Sequence, residues 1–172
     1  MINMAVKDHL GVRKLKTTDA QELFDRLQDF SVAKWLCALP VPYTLEDATK
    51  YINGGGGADW RLCITLNDSL IGGIGIKPLE DDPDKSELGY WLSAKYWGNG
   101  YTAKSVASTL DAYEKSHPEL EVISFVQHGN TASMRVMKKL GFKEWDPVHY
   151  TGCWSEPFNR YVELIEYRRQ SS

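Results

Sequence analysis

Trp97-Gly98-Asn99-Gly100-Tyr101-Thr102 is the stretch whose residue types and spacing could do chemistry. Its two glycines carry no Cβ, so the backbone can approach a ligand closely. Ser86 to Leu92, upstream, reads as a buried strand, and Ala103 to His117, downstream, as a helix. Strand, glycine turn and helix N-terminus together aim backbone N–H groups, and about half a positive charge, at an anion. A phosphate or pyrophosphate is the natural guest. An ordinary strand-to-helix turn is the plainer reading of the same residues.

A second motif competes for these positions. Gly98-Asn99-Gly100-Tyr101-Thr102-Ala103-Lys104-Ser105 nearly spells a P-loop, but that motif needs glycine directly before the lysine, where Ala103 stands. A nucleotide triphosphatase also needs a strand ending in a metal-binding aspartate. The strand from Glu121 to Val126 ends in Gln127-His128 instead.

The elements that must position the turn follow from periodicity. Gly11 to Lys16 alternates apolar and basic residues and reads as a first strand, with Val12 and Leu15 inward. Thr18-Asp19-Ala20-Gln21 has the form of a capping box, and Ala20, Leu23, Phe24, Leu27 and Phe30 continue at helical spacing, predicting a helix over 19–29. Pro40 and Pro42 break the chain. Thr44 then caps a helix that stops near Ile52 at Asn53-Gly54. Gly54 to Gly57 forms a flexible bend. Asp59 to Leu66 and Leu70 to Lys77 read as a hairpin turned at Asn67-Asp68-Ser69. Glu80 to Lys85 is a polar loop, either a solvated run or an acidic rim for a cationic substrate. The helix after the glycine turn buries Val106, Leu110 and Tyr113. Asn130 opens a further helix that closes at Leu140-Gly141, and two last strands are predicted over Val148 to Cys153 and Arg160 to Tyr167, joined by a loop over Trp154 to Asn159. The order β-α-α-β-β-β-α-β-α-β-β implies a mixed α/β sheet, hairpins at one side and crossover helices at the other.

Composition narrows the function. The 172 residues fit one domain, at 42% hydrophobic and 25% charged. No segment is long enough to span a bilayer, and Met1 to Leu10 lacks the apolar run of a signal peptide. A net charge of −3 without a basic run argues against a nucleic-acid partner. Cys37, Cys63 and Cys153 match no zinc spacing. Their odd number predicts reduced thiols in a cytoplasmic protein rather than a disulfide frame, and no metal site is expected.

Several stretches taken together resemble a known family. Glu87-Leu-Gly-Tyr-Trp-Leu92, Tyr96-Trp-Gly-Asn-Gly-Tyr-Thr102, Asn130-Thr-Ala-Ser133 and Lys139-Leu-Gly-Phe142, in that order, are similar to the GNAT superfamily of N-acetyltransferases. Within it the chain is most similar to the ribosomal-protein N-terminal alanine acetyltransferase branch, over roughly residues 10 to 168. The resemblance implies the GNAT fold, a mixed central sheet with splayed fourth and fifth strands and flanking helices. It also implies acetyl-CoA as cosubstrate and a primary amine as acceptor, on a peptide N-terminus or a small molecule. The family's pyrophosphate loop has the form Gln/Arg-x-x-Gly-x-Gly/Ala. Trp97 takes its first place, Gly100 its fourth and Thr102 its last, where a Cβ and hydroxyl depart from the pattern. Gly98, Asn99 and Tyr101 fill the positions between. By the same resemblance Trp91 and Leu92 offer backbone partners to the pantetheine arm. Asn130 reaches the cofactor, although an asparagine at a helix start is also an N-cap. Ser133 sits near the sulfur.

The implied chemistry is direct attack of an amine on the thioester. A lysine-like amine, with pKa about 10.4, is neutral in roughly one molecule per few thousand at pH 7; an α-amine near 8 is neutral in about one in ten. The first needs a strong base and the second only a proton path. Glu87 is the first candidate base, directly or through water, and a solvated or ion-paired strand residue is its plainer reading. Ser133 would protonate or orient the departing thiolate, and backbone N–H groups near Leu92 would polarise the carbonyl. Two departures stand out. Many family members carry a tyrosine acid seven residues after the asparagine, where this chain has Met137. Some members of the ribosomal branch use a carboxylate in the strand matching Val148 to Cys153, where His149 is the nearest titratable group. Those departures favour a low-pKa amine, and they keep open a CoA-binding module without catalysis. Trp35, Tyr43, Trp60 and Trp154 fall in segments that the family places around the acceptor, and each could equally be core. A monomer or homodimer is expected, with no membrane partner.

Overall fold

Two hydrophobic clusters lie on opposite faces of one twisted sheet in the computed structural model, which describes residues 8–54, 60–145 and 151–169. The chain runs β1 (Leu10–Lys14), α1 (Ala20–Leu27), α2 (Phe30–Ala33), α3 (Leu45–Ile52), β2 (Trp60–Leu66), β3 (Ser69–Pro78), β4 (Lys85–Leu92), α4 (Tyr101–Ser116), β5 (Glu121–Gln127), α5 (Thr131–Lys139), β6 (Phe142–Glu144), β7 (Thr151–Ser155) and β8 (Arg160–Arg169). The strand order is β1-β2-β3-β4-β5-β8-β6, and β7 also pairs with β8. Among the described residues only β4 and β5 pair in parallel, and the other pairs are antiparallel. This is the mixed sheet with flanking helices that the GNAT resemblance implies.

The hairpin β2–β3 turns on two residues, Asn67 and Asp68, both at positive φ, with Leu66 opposite Ser69. A two-residue turn of that hand matches the twist of the strands it joins. On one face Ile64, Ile71, Ile74, Ile76, Leu88 and Leu110 are at most 1% exposed. Burial of each such side chain contributes roughly 1.5–3 kcal/mol. This cluster takes in α4 and α5. The other face carries α1 to α3 over Leu23, Leu27, Val32 and Ala48.

Several boundaries differ from expectation. The box expected of Thr18 and Gln21 is not formed. Asp19 Oδ2 instead accepts from the Lys16 N–H at 2.7 Å and closes the single turn over Thr17–Asp19, after which α1 starts at Ala20 without a side-chain cap. Phe30 does not extend α1 but begins a separate short helix with Asp29 as its cap. Thr44 caps α3 as expected, and Asp47 completes a reciprocal box with it. α4 starts at Tyr101, two residues before the predicted Ala103. β6 was not predicted, and β7 runs on to Ser155 through part of the expected loop. In the polar loop Asp82 pairs with Lys85. Gly55 to Asp59 and Asp146 to Tyr150, with His149, lie outside the described residues.

The thiols need correction. Cys37 and Cys153, 116 residues apart, form a disulfide between the segment after α2 and β7. Only Cys63 is free among the described residues, and burial pushes its thiol up. Odd counting is blind to which two of three cysteines the fold brings together.

Candidate functional site

The parallel ladder between β4 and β5 is three pairs long and ends at Glu87 opposite Ile123. Past that point the strands part. Each is still held on its outer side: β4 to β3 as far as Leu92 opposite Gly72, and β5 to β8 as far as Gln127 opposite Leu164. A fork fixed from outside is a rigid slot rather than frayed sheet. At its vertex the Ser124 hydroxyl donates to the Leu88 carbonyl at 2.9 Å, in place of a backbone N–H.

Ladder alternation decides which groups enter the slot. Glu121 N–H donates to the Asp84 carbonyl, and Ser93 N–H donates to that of Ile71. Even-numbered residues of β4 therefore turn their backbone groups toward β5, and odd-numbered ones toward β3. Tyr90 and Leu92 line the slot by main chain, while the main chain of Trp91 is on the β3 side. The Leu92 carbonyl accepts from Trp97 Nε1 at 2.7 Å, which ties the turn to the strand end.

Beyond Trp97, Gly98 and Gly100 adopt φ of +80° and +74°. A side chain in that left-handed region costs roughly 1–2 kcal/mol. A Cβ built at either would meet nothing within 4 Å, so the ground in front of the turn is open. Asn99 Nδ2 donates to the carbonyls of Tyr96 and Trp97 at 3.1 and 3.2 Å and closes the turn from within. α4 then begins with Gly100 as N-cap, without a side-chain cap and without an acidic residue in its first turn. By contrast α3 and α5 are capped by Thr44 and Asn130. The first turn of α4, with Tyr101 and Thr102, thus keeps its N–H groups and its positive end for an external acceptor.

On the far arm, Asn130 Oδ1 accepts from the Ser133 N–H at 3.2 Å, so the side-chain oxygen serves as the N-cap of α5. Ser133 Oγ lies 2.7 Å from the hydroxyl of Tyr90, which also donates to the Ser133 carbonyl at 3.3 Å. Burial pushes the Tyr90 phenol up to about 12, against the lowering effect of the Ser133 contact, so it stays protonated at neutral pH. The sequence reading missed Tyr90. Its alternation with Leu88 and Leu92 marks it as core-facing, and nothing local links it to a residue 43 positions away.

The opposite face of β4 carries Glu87, Gly89 and Trp91. Glu87 Oε2 sits 3.4 Å from Nζ of Lys77, its cross-strand partner. Gly89 is exposed, with open space where its Cβ would be. Trp91 covers Gly73 so closely that a Cβ there would lie 2.5 Å from Trp91 Nε1. Glu87 and Ser133 therefore reach β4 from opposite faces and are not brought into contact.

Met137 is fully buried in the main core, so the place of the family's tyrosine acid is filled by packing. Of the aromatic candidates, Trp60 belongs to the core. It packs edge-on against Tyr113 at 5.2 Å and His117 at 6.3 Å, on the α4 face. Tyr43 stacks on Phe24 at 6.4 Å, and burial raises its phenol to about 12. The Lys34 ammonium sits 5.1 Å over the ring of Trp35. Trp154 is 40% exposed and bonds Glu156. Among the described residues no group of three His, Cys, Asp or Glu could hold a metal, and no helix is long and apolar enough to cross a membrane.

Residues 9–143 match the model of the acetyltransferase (GNAT) domain. The chain is 24% identical over 143 residues to the uncharacterized N-acetyltransferase p20 of Bacillus licheniformis, covering 80% of each. It is 25% identical over 157 residues to the putative ribosomal N-acetyltransferase YdaF of Bacillus subtilis, covering 84% of this chain and 83% of that one. Among solved structures, RimL, a ribosomal L7/L12 alpha-N-protein acetyltransferase in complex with coenzyme A, superposes with a TM-score of 0.78 at 17% identity, over 93% of both chains.

Proposed function

Because this chain belongs to the GNAT acetyltransferase family, we propose that it transfers the acetyl group of acetyl-CoA to a primary amine, either a protein N-terminal α-amine or a small-molecule amine. The observation that carries this reading is the pairing of a rigid slot between β4 and β5 with an uncapped α4 N-terminus at its mouth. The residues fit the cosubstrate. A diphosphate suits the N–H groups of residues 98–102, and an amide-bearing arm suits the edge groups of Tyr90 and Leu92. Trp97 fixes the turn, and the amide nitrogen of Asn130 remains as a donor toward the same molecule.

The thioester supplies an activated acetyl group. The chain's own residues do the rest from two sides. Glu87, on the α1–α3 face, accepts the proton of an incoming amine, directly or through water. Ser133, on the α5 face, donates a hydrogen bond to the sulfur as the C–S bond breaks. Entry of the amine and departure of the thiol on opposite faces of β4 keeps the two from colliding. The N-terminus of a ribosomal protein, the substrate class named for the RimL neighbour, is one acceptor of this kind. A cytoplasmic location, expected from reduced thiols, loses that support with the Cys37–Cys153 disulfide.

A second reading, a CoA-binding module without turnover, is favoured by Met137, which leaves no acid at the family's usual place. Thiol release from acetyl-CoA, measured against a library of peptide N-termini and small amines, separates the two. Release with at least one amine, slowed by Glu87→Gln, supports the enzyme. Calorimetric binding with no release and no effect of that substitution supports the module, and absence of binding overturns both.

A further inference from the structure

We propose that Tyr90 is a positioning residue for Ser133, its hydroxyl fixing the direction in which the Ser133 O–H points during acetyl transfer. The inference rests on the function proposed above and goes beyond it, since a strand residue far from α5 in sequence is assigned a part in the reaction.

A serine hydroxyl in the first turn of a helix is a free rotor, and its usual resting partner is a nearby backbone carbonyl. A hydroxyl turned that way presents no proton to a departing sulfur. In this chain Ser133 Oγ instead meets the Tyr90 hydroxyl at 2.7 Å. The phenol ring cannot follow the rotor. Tyr90 sits between Leu88 and Leu92 on the packed face of β4, half-buried against the main cluster, opposite Ile74 of β3. A tyrosine hydroxyl carries one proton. When that proton goes to Ser133 Oγ, the serine proton is released for another acceptor. When it swings to the Ser133 carbonyl at 3.3 Å, the serine donates back to Tyr90 and is withdrawn. The two states differ by a rotation of each hydroxyl, and a ligand sulfur accepting from Ser133 selects the first. Tyr90 gives up no proton in either state; burial keeps the phenol neutral.

Tyr90→Phe removes the hydroxyl and keeps the ring, so packing is retained. Its expected effect is a fall in kcat of about tenfold, with KM for acetyl-CoA changed less than twofold and the melting temperature essentially unchanged. The deciding measurement is the double variant. On a Ser133→Ala background, Tyr90→Phe is expected to cost nothing further, because the hydroxyl it orients is gone. Equal losses on both backgrounds would make Tyr90 structural and overturn the proposal. So would turnover that falls with Ser133→Ala but ignores Tyr90→Phe, and that result leaves the acetyl-transfer reading intact. Absence of turnover with every amine overturns the function itself and takes this inference with it.

Discussion

Ser124 Oγ donates to the carbonyl of Leu88 at 2.9 Å, one residue beyond the last backbone pair between β4 and β5. A side chain thereby satisfies an acceptor that the parting strands would otherwise leave bare inside the protein, since Ser124 is only 2% exposed. An unsatisfied buried carbonyl costs roughly 1–3 kcal/mol. Ser124→Ala is expected to destabilise by about that amount, which lowers the melting temperature by a few degrees in a chain of this size. The same change loosens the vertex and raises the Kd of acetyl-CoA several-fold in calorimetry. An unchanged Kd would separate the vertex from the binding slot.

Gly100 tests the turn by backbone alone. Its φ of +74° disfavours any side chain, yet a Cβ there has nothing to strike. Gly100→Ala therefore carries only the conformational cost, about 1–2 kcal/mol. It is expected to weaken acetyl-CoA binding about tenfold, with a smaller loss of affinity for a pantetheine thioester lacking the diphosphate. Equal losses for the two ligands would place the diphosphate elsewhere.

The first face of the site was legible because it is local. β4, the glycine turn and α4 are contiguous, and periodicity with the two glycines is enough to read them. What depends on distant pairing was not. β6 has three residues and exists through its register with β8, Phe142 opposite Arg169. The link of Cys37 to Cys153 crosses 116 residues, and that of Tyr90 to Ser133 crosses 43. Trp60 stays open between pocket and core by sequence, and β2 settles it as core by packing it against Tyr113. Glu87 was found as a residue, but its ion pair with Lys77 follows from the β3–β4 register.

Acid stability should turn on Asp19. Its carboxyl is held below the usual range chiefly by Arg13, whose guanidinium forks onto both oxygens at 2.7 and 3.0 Å, with burial opposing and the Lys16 N–H assisting. A carboxyl lowered on folding adds stability that is fully present above its unfolded pKa, near 3.9, and is lost as pH falls through the folded value. Denaturant titrations of wild type and Asp19→Asn are expected to differ by about 1–2 kcal/mol at pH 7, after allowance for the partly solvated arginine. The difference shrinks as pH drops below about 4. A constant difference down to pH 2 would exclude the ion pair as its source.

We propose that the face of β4 carrying Glu87 and Gly89 receives the amine. Both point to the side away from Ser133, and the space above Gly89 is open beside the Glu87–Lys77 pair. If the amine approaches across this floor, Gly89→Val fills it without touching the slot. The expected result is a rise of tenfold or more in KM for the amine and an unchanged Kd for acetyl-CoA. Glu87→Gln acts differently on the same face. It leaves the floor open and removes the proton acceptor, so kcat falls, by about a hundredfold for a base that works directly. The fall should be steeper for lysine-like amines than for peptide N-termini, because the former hold their proton some two units more tightly. Should Gly89→Val raise the Kd of acetyl-CoA while sparing the amine, the two substrates would have to exchange faces.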